Sequence, residues 1–188
     1  MMPPSAYDAV VLAGGRSRRM SVADKTRLIV GGRSLLDRVL GALAGAETVI
    51  VVGEQRPTDE PVRWVADRVP DAGPAAALAV GLDEVTSPLV VVLAGDLPFV
   101  TGAHVAELVG AVESDGAVYV DDTGREQWLC GAWRADALRE LDFAPGSALR
   151  ANLAGLDVRR VRPRASGPQV WFDCDSPVDV RRAEDMLS

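Results

Sequence analysis

The stretch Tyr7-Asp8-Ala9-Val10-Val11-Leu12-Ala13-Gly14-Gly15-Arg16-Ser17-Arg18-Arg19-Met20 decides how this chain of 188 residues folds. Its first half, from Tyr7 to Ala13, is an apolar run rich in β-branched residues, which is typical of a buried strand in a parallel sheet. Gly14 and Gly15 end that run. Because glycine has no side chain and adopts positive φ, successive backbone N–H groups can turn there toward an anion. The stretch therefore predicts a phosphate-binding loop directly behind a buried strand.

Cationic residues follow the two glycines closely. Arg16, Arg18, Arg19 and Lys25 supply charge-assisted donors for phosphate oxygens, with arginine suited to forked contacts and lysine to a point contact. The chain as a whole is acidic, with a formal net charge of −7. A local cationic cluster in such a chain indicates a site for an anionic ligand. The alternative is an ordinary strand-to-helix loop whose basic residues face water.

Two well-known phosphate loops are excluded by spacing. A dinucleotide fingerprint needs G-x-G-x-x-G, and no third glycine follows Gly15 at the required distance. A P-loop needs glycine immediately before Lys-Ser/Thr, whereas Asp24 precedes Lys25-Thr26. The loop therefore belongs to a third kind.

Composition and length predict one globular domain over residues 1–188. Hydrophobic residues make up 48% and charged residues 25%, as in ordinary globular proteins. Cys130 and Cys174 lie far apart and form no C-x-x-C pattern, which argues against a disulfide framework or a zinc site and favours two buried small side chains.

The charge and hydropathy patterns also limit the partners. A net charge of −7 argues against broad binding to nucleic acid or to an anionic membrane surface, since both require a basic face. No apolar stretch is long enough to cross a bilayer, and residues 1–6 lack the features of a signal peptide. We therefore expect a cytoplasmic protein.

Hydrophobic periodicity predicts strands that alternate with helices. This order favours a three-layer, Rossmann-like α/β fold, in which a mostly parallel twisted sheet carries helices on both faces. Ser34, Thr101 and Ser176-Pro177 supply the signals for helix starts. The predicted strands are Ala9–Ala13, Thr48–Val52, Val62–Val65, Leu89–Ala94, Ala117–Val120, Leu129–Trp133, Val158–Val161 and Val170–Asp173, and the predicted helices are Ser34–Ala44, Pro74–Val85, Thr101–Ser114, Arg134–Leu141, Ser147–Leu153 and Pro177–Leu187.

A carboxylate follows the most apolar predicted strand. Asp96 stands immediately beyond the run from Pro88 to Gly95, and ligands of such sheets bind at the carboxyl ends of strands. Asp96 should therefore lie on the same rim of the sheet as Gly14 and Gly15. Since Mg²⁺ takes one or two carboxylates and leaves its other positions to water and phosphate, Asp96 is a candidate magnesium ligand. The alternative role is to cap the turn at Leu97-Pro98.

Other acidic residues have two open interpretations each. Asp175 is either a second magnesium ligand or a cap near the positive N-terminus of the last helix. Asp67 and Asp71, before Gly73-Pro74, either contact the ribose or base of a nucleotide or simply form a turn.

The histidine and tryptophan residues have structural interpretations. His104, the only histidine, lies in a predicted helix and is expected to be packed or solvated rather than catalytic. The four tryptophans lie in or beside predicted strands, where core packing is the expected role. They are Trp64, Trp128, Trp133 and Trp171.

In these motifs the sequence resembles the MobA family of molybdenum cofactor guanylyltransferases, within the nucleotide-diphospho-sugar transferase-like folds. The first motif is highly specific, and the later ones support it in the same order along most of the chain. The motifs are Leu12-Ala13-Gly14-Gly15-x-Ser17-x-Arg19-Met20, Asp24-Lys25, Gly32-Arg33-Ser34-Leu35-Leu36, Gly73-Pro74, Gly95-Asp96-Leu97-Pro98-Phe99 and Asp175-Ser176-Pro177-Val178-Asp179.

The resemblance implies a magnesium-dependent transfer of GMP from GTP to molybdopterin. Lys25 would hold the phosphates and Asp96 the Mg²⁺, with Arg19 adding to charge neutralisation. Gly14 favours guanine, since related cytidylyltransferases look like Leu-Ala-Ala-Gly at this motif. The nucleotide would also be lined by Leu12, Ala13, Gly14 and Gly15, and Asp67 would help to bind the nucleoside.

The sequence departs from the family pattern at several positions. Ser21 replaces a usual glycine, Ala75-Ala76-Ala77 replaces Leu-Ala-Gly after Pro74, and Asp175-Ser176-Pro177 replaces Asn-Thr-Pro. Two alternatives remain for this reason. One is a molybdopterin cytidylyltransferase or sugar-phosphate nucleotidyltransferase of the same fold. The other is a nucleotide-binding module without catalysis, with molybdoenzymes or their chaperones as partners.

Overall fold

The computed structural model describes residues 6–14, 25–66, 72–164 and 167–187. No helix in these ranges is long and apolar enough to cross a membrane. The strands are β1 (Tyr7–Leu12), β2 (Ile29–Val30), β3 (Arg33–Ser34), β4 (Val49–Val52), β5 (Arg63–Val65), β6 (Leu89–Ala94), β7 (Gly116–Val120), β8 (Glu126–Arg134) and β9 (Val158–Val161); the helices are α1 (Leu35–Gly41), α2 (Pro74–Leu82), α3 (Gly102–Gly110), α4 (Ala135–Arg139), α5 (Leu149–Leu153) and α6 (Pro177–Leu187), with a 3-10 turn at Lys25–Arg27.

A seven-stranded sheet with the order β5-β4-β1-β6-β8-β7-β9 forms the centre of the fold. β1 pairs in parallel with β4 and β6, and only β8 runs antiparallel, against β6 and β7. The predicted α/β class with a mostly parallel sheet is confirmed. The strands β4, β1 and β6 are adjacent, so the loops that follow β1 and β6 leave the same edge of the sheet.

Alternate side chains of the strands enter two separate cores, one on each face of the sheet. In β1, Val11 packs with α1 and α3, whereas Val10 and Leu12 pack with α2, α4 and α5. Both cores consist of buried aliphatic side chains, and burial of such surface is the main stabilising contribution to a fold of this kind. The three-layer arrangement predicted from the alternation of elements is therefore confirmed.

A third cluster lies outside the main sheet. The antiparallel hairpin of β2 and β3 packs against α6 through Val30 and Ala183, together with Phe99 and Cys174. Gly31 N donates a hydrogen bond of 2.8 Å to Glu184 Oε1 of α6. The hairpin and the C-terminal helix are thus joined to each other beside the rim. We call this group of residues the hairpin–α6 cluster.

The predicted strand over Val170–Asp173 is wrong. Residues 170–171 form a turn and residues 172–173 are irregular, and Phe172 N donates to Gln169 O at 3.0 Å. Val170 and Cys174 are both buried, so the apolar pattern here reports burial rather than strand pairing. The hairpin of β2 and β3 was not predicted, because strands of two residues are too short to show an alternation.

The predicted helix starts are confirmed, while most helices end earlier than predicted. Ser34 Oγ accepts from Asp37 N at 3.0 Å, Thr101 Oγ1 accepts from His104 N at 3.4 Å, and α6 begins at Pro177. α1 ends at Gly41 and α3 at Gly110, each several residues before the predicted boundary. Helix starts are easier to predict than helix ends because particular side chains cap the first turn.

Asp8 is buried within β1 and holds the segment that leads into β6 in place. Its Oδ2 accepts hydrogen bonds from Thr86 N at 2.7 Å and Ser87 N at 2.9 Å. Burial by itself raises the pKa of Asp8, but these hydrogen bonds outweigh it and the pKa lies below its usual value. The ionised carboxylate is therefore the form that stabilises the fold.

We expect Asp8→Ala to lower the free energy of unfolding by about 2–4 kcal/mol at pH 7, because it leaves two buried N–H groups without an acceptor. A lowered pKa contributes stability above the unfolded value and loses it as pH falls through the folded value. The difference from the unchanged protein should therefore shrink below about pH 4. Urea unfolding at pH 7 and below about pH 4 measures the difference in unfolding free energy. A difference that stays constant with pH would show that the stabilising form of Asp8 is not the ionised carboxylate.

Candidate active site

The ends of β1 and β6 meet at one rim of the sheet, as the sequence predicts. Leu12 pairs with Ala94, and Gly95 N donates to Leu12 O at 3.0 Å. Gly14 follows β1 and Asp96 follows β6, so both residues lie beyond adjacent strand ends. Gly14 is exposed, so its backbone is open to a ligand on this rim.

Two glycines from neighbouring strand ends leave space for the backbone at Ala13 and Gly14. A Cβ added at Gly53, just beyond β4, would lie 3.1 Å from both Ala13 C and Gly14 N. On the other side, a Cβ at Gly95 would lie 3.3 Å from Ala13 Cα. The backbone that the sequence assigns to the nucleotide is thus in close contact with glycine on both sides. Any side chain at these positions would displace it.

We expect Gly53→Ala to weaken the nucleotide binding that the sequence predicts at Gly14 and to cost roughly 1–3 kcal/mol of stability, because its φ is +153° and its methyl group would press on the backbone of Gly14. Gly124→Ala is the matched control: its φ is +83°, but an added Cβ would meet nothing within 4 Å. Isothermal titration with GTP compares the two variants. Equal affinities would show that the contact at Gly14 is irrelevant to the nucleotide.

Lys25 begins the 3-10 turn that leads into β2, and its ammonium group reaches the same rim. Its Nζ donates to Asp175 Oδ1 in a short ion pair between residues 150 positions apart. The lysine side chain is 19% exposed and that of Asp175 is 61% exposed. The contact therefore connects the segment after the glycine-rich loop to the segment before α6, with one side open to solvent.

Three carboxylates gather around Lys25. Cys174 N donates to Asp96 O at 3.3 Å, which brings Asp173 and Asp175 close to Asp96. Burial, and then the negative charge of Asp173, raises the pKa of Asp96 to about 6, against the opposing effect of Lys25. Burial and Asp175 likewise raise the pKa of Asp173. The cluster has an excess of negative charge that a cation would neutralise.

Asp173 was missed by the sequence analysis. It lies two residues before Asp175, and in an extended segment residues at that spacing point to the same side. This spacing was the available signal. Cys174 between them is buried, and burial raises the pKa of its thiol to about 12, so it stays protonated. Both cysteines are buried and free, as predicted.

The carboxylates at this rim suit Mg²⁺, which takes part of its shell from water and substrate, better than a metal ion whose ligands all come from the protein. Within the described ranges, no group of three or more His, Cys, Asp and Glu side chains is arranged to hold a metal ion. Mg²⁺ is instead usually bound by one or two carboxylates, with water and substrate phosphate completing its shell. Asp96, with Asp173 or Asp175 beside it, offers carboxylates of that kind.

The capping alternative for Asp175 is not what the structure contains. Ser176 Oγ accepts from Asp179 N at 3.2 Å and donates to Asp179 Oδ2 at 2.6 Å, so the serine caps α6. Asp175 pairs with Lys25 instead. Its carboxylate is exposed at the rim and available to a ligand there.

His104 and the tryptophans are structural in the main, as expected. His104 is buried and takes part in the cap of α3, with its ring edge-on to Tyr119. Trp133 is fully buried, while Trp64, Trp128 and Trp171 are partly buried.

Several predicted site residues lie outside the described part of the chain. They remain predictions, and their roles as phosphate or nucleoside ligands rest on the sequence alone. These residues are Gly15, Arg16, Arg18, Arg19, Asp67 and Asp71.

The chain is similar to known proteins over most of its length. Residues 9–161 match the MobA-like NTP transferase domain. A protein of Natronomonas pharaonis named "Probable molybdenum cofactor guanylyltransferase" is 30% identical, covering 95% of this chain and 97% of its own length. A protein of the same name from Mycobacterium tuberculosis is 32% identical over 79% of this chain and 78% of its own.

The fold has solved counterparts as well. The crystal structure of molybdopterin-guanine dinucleotide biosynthesis protein A from Archaeoglobus fulgidus superposes with a TM-score of 0.71, covering 96% of this chain and 98% of that one. The sequence identity of that pair is 19%, so the likeness is one of fold.

Proposed function

Because this chain belongs to the MobA-like NTP transferase family, we propose that it transfers GMP from GTP to the terminal phosphate of Mo-molybdopterin. The products are molybdopterin guanine dinucleotide and pyrophosphate. The observation that carries the proposal is the meeting of three features at one rim: the open backbone at Gly14, the ammonium of Lys25 and the carboxylate of Asp96. Together they suit a triphosphate accompanied by a divalent cation.

Each of these groups has a role that follows from its chemistry. The exposed backbone at Gly14 would contact the nucleotide, in the position that close packing against Gly53 gives it. Lys25 supplies positive charge to the phosphates once they compete with Asp175 for its ammonium group. Asp96, with Asp173 or Asp175, would hold Mg²⁺, which when bound neutralises phosphate charge.

The reaction needs no general base. The attacking phosphate monoester has a second pKa of about 6 and is mostly ionised at pH 7. His104 is buried and forms part of the cap of α3, which is consistent with that chemistry. The principal barrier is the repulsion between two anions. Positioning and charge neutralisation at the rim are therefore the contributions that the protein makes.

The names of the related proteins and the residue at position 14 together favour guanine as the base. The curated relatives are named as guanylyltransferases, and Gly14 stands where related cytidylyltransferases resemble Leu-Ala-Ala-Gly. A cytidylyltransferase or a sugar-phosphate enzyme of the same fold is the competing assignment. The choice depends on which triphosphate reacts.

A direct test incubates the protein with Mg²⁺, molybdopterin and each nucleoside triphosphate in turn, and measures pyrophosphate release with identification of the product by mass spectrometry. We expect release with GTP and a product containing GMP. Reaction with CTP in preference to GTP would reject guanylyl transfer while keeping the reaction class. No release with any triphosphate, despite GTP binding, would instead favour a module without catalysis.

A further inference from the structure

An arginine that the site description does not include is bonded to the turn that carries Lys25. Arg56 lies in the loop between β4 and β5, and its Nη2 donates a hydrogen bond to Oγ1 of Thr26. Thr26 directly follows Lys25 in the 3-10 turn, and it is buried. The contact therefore joins the loop after β4 to the turn of Lys25, between residues 30 positions apart.

The guanidinium group of Arg56 also lies over an aromatic ring. Its Cζ is 5.5 Å from the ring centroid of Trp64 on β5, a distance at which the face of an indole attracts a cation. Trp64 is partly buried and packs against the core that lies under α1 and α3. The ring and the hydroxyl of Thr26 together restrict the planar guanidinium group to one orientation.

The methyl group of Thr26 faces the loop that carries Asp96. A Cβ added at Gly95 would lie 3.1 Å from Thr26 Cγ2, so the threonine packs closely on the backbone at Gly95. Lys25 directly precedes Thr26 in the chain, and Asp96 directly follows Gly95. The contact between Thr26 and Gly95 therefore sets the separation of the two backbone segments that carry the ammonium group and the carboxylate.

We propose that Arg56 is a positioning residue, which holds Thr26 against Gly95 and thereby fixes the place of Lys25 relative to Asp96. A hydrogen bond from a charged donor is stronger than one between neutral groups, which suits it to fix a short turn. Arg56 acts through Thr26 and Lys25 and does not itself contact the substrate. Its importance for catalysis rests on the proposed function, because Lys25 contributes to transfer only if phosphates bind at the rim.

The reactivity of Lys25 toward an amine-acylating reagent tests this placement without any substrate. Lys25 is the single lysine of the chain, and the N-terminal amine of the same sample is the internal reference. The lysine side chain is 19% exposed and paired with Asp175, so a loosened turn makes it more accessible to the reagent. We expect Arg56→Gln to raise the rate of Lys25 acylation about tenfold, as loss of a hydrogen bond from a charged group commonly does.

Variants of Thr26 and Arg56 show whether the arginine acts through the threonine hydroxyl. Thr26→Val keeps a methyl group against Gly95 and removes the hydroxyl, so it should raise the acylation rate as much as Arg56→Gln. The double variant should react no faster than either single variant, because both remove the same hydrogen bond. Arg56→Lys keeps a charged donor and should restore part of the protection.

Two controls separate positioning from a general loosening of the fold. Arg63→Gln removes an exposed arginine from the neighbouring strand β5, together with its ion pair of 2.9 Å with Glu84. Asp8→Ala weakens the fold at a site that does not contact Thr26. Both controls should leave the rate of Lys25 acylation unchanged, at a temperature where thermal unfolding shows every variant to be folded.

The outcomes of the acylation experiment do not depend on which reaction the protein catalyses. An unchanged rate in Arg56→Gln and Thr26→Val overturns the inference, even if the protein transfers GMP. An equal rise in Arg63→Gln or Asp8→Ala also overturns it, because the effect would then be general. Faster acylation in the Arg56 and Thr26 variants alone supports it, even if GTP proves not to be the donor.

Guanylyl transfer provides the second readout. Arg56→Gln should lower kcat about tenfold or more, because small displacements of a group at a reacting centre have large effects on rate. In a Lys25→Met background, Arg56→Gln should cause no further loss, since the group that it positions is already absent. A further loss in that background would show that Arg56 acts by another route and would overturn the inference.

Discussion

Replacing Asp96 by asparagine should lower guanylyl transfer by about a hundredfold or more while leaving the fold intact. The carboxylate is the charged group just beyond the end of β6, at the rim that it shares with Gly14, and asparagine keeps its shape without its charge. Pyrophosphate release under saturating GTP, molybdopterin and Mg²⁺ measures the loss.

The stability of Asp96→Asn distinguishes loss of chemistry from loss of fold. The pKa of Asp96 is raised to about 6 from an ordinary 3.8, so its ionisation destabilises the folded state as pH rises through this range. Without metal at pH 7.5, the variant should therefore unfold at the same temperature as the unchanged protein or a higher one. Asp185→Asn, an exposed carboxylate on α6, controls for charge alone. Full activity in Asp96→Asn excludes the proposed mechanism.

Replacing Lys25 by methionine should have an effect of similar size on transfer, about a hundredfold or more. Methionine keeps most of the side-chain length and removes the ammonium group. Because Asp175 is 61% exposed, the carboxylate left without its partner remains hydrated, and the cost in stability should stay within about 1 kcal/mol. Steady-state kinetics with GTP and urea unfolding measure the two quantities.

Lys25 is the only lysine in the chain, which permits a second test without mutation. An amine-reactive acylating reagent can modify Lys25 and the N-terminus alone, and peptide mass spectrometry separates them. GTP with Mg²⁺ should slow acylation of Lys25. Equal acylation with and without the nucleotide, under conditions where GTP is bound, would remove Lys25 from the phosphate site. Lys25→Arg, which keeps the charge in a different shape, should retain part of the activity.

The sheet was largely predictable because its strands carry strong local patterns. Val10, Leu12 and their neighbours alternate between two cores, and the run from Leu89 to Ala94 is apolar throughout. The region before α6 was not predictable in the same way. Val170 and Cys174 are buried without belonging to a strand, and hydrophobicity alone does not separate these cases.

The candidate site was predictable in part for a similar reason. Gly14 and Asp96 follow strongly apolar strands, so their common rim follows from the parallel sheet. The contact of Lys25 with Asp175 joins residues 150 positions apart and leaves no trace in local spacing. The spacing of Asp173 and Asp175 suggests a shared side, but it does not show that they lie beside Asp96; the hydrogen bond from Cys174 N to Asp96 O does.

The hairpin–α6 cluster has a consequence for choosing the boundaries of a shortened protein. The match to the MobA-like domain ends at residue 161, before Asp173, Asp175 and α6. A chain cut there would retain every strand of the large sheet, yet β2 and β3 would lose their apolar cover and Lys25 its carboxylate neighbours. The matched domain therefore ends 27 residues before the end of this chain, and residues beyond the match cover the β2–β3 hairpin and pair with Lys25.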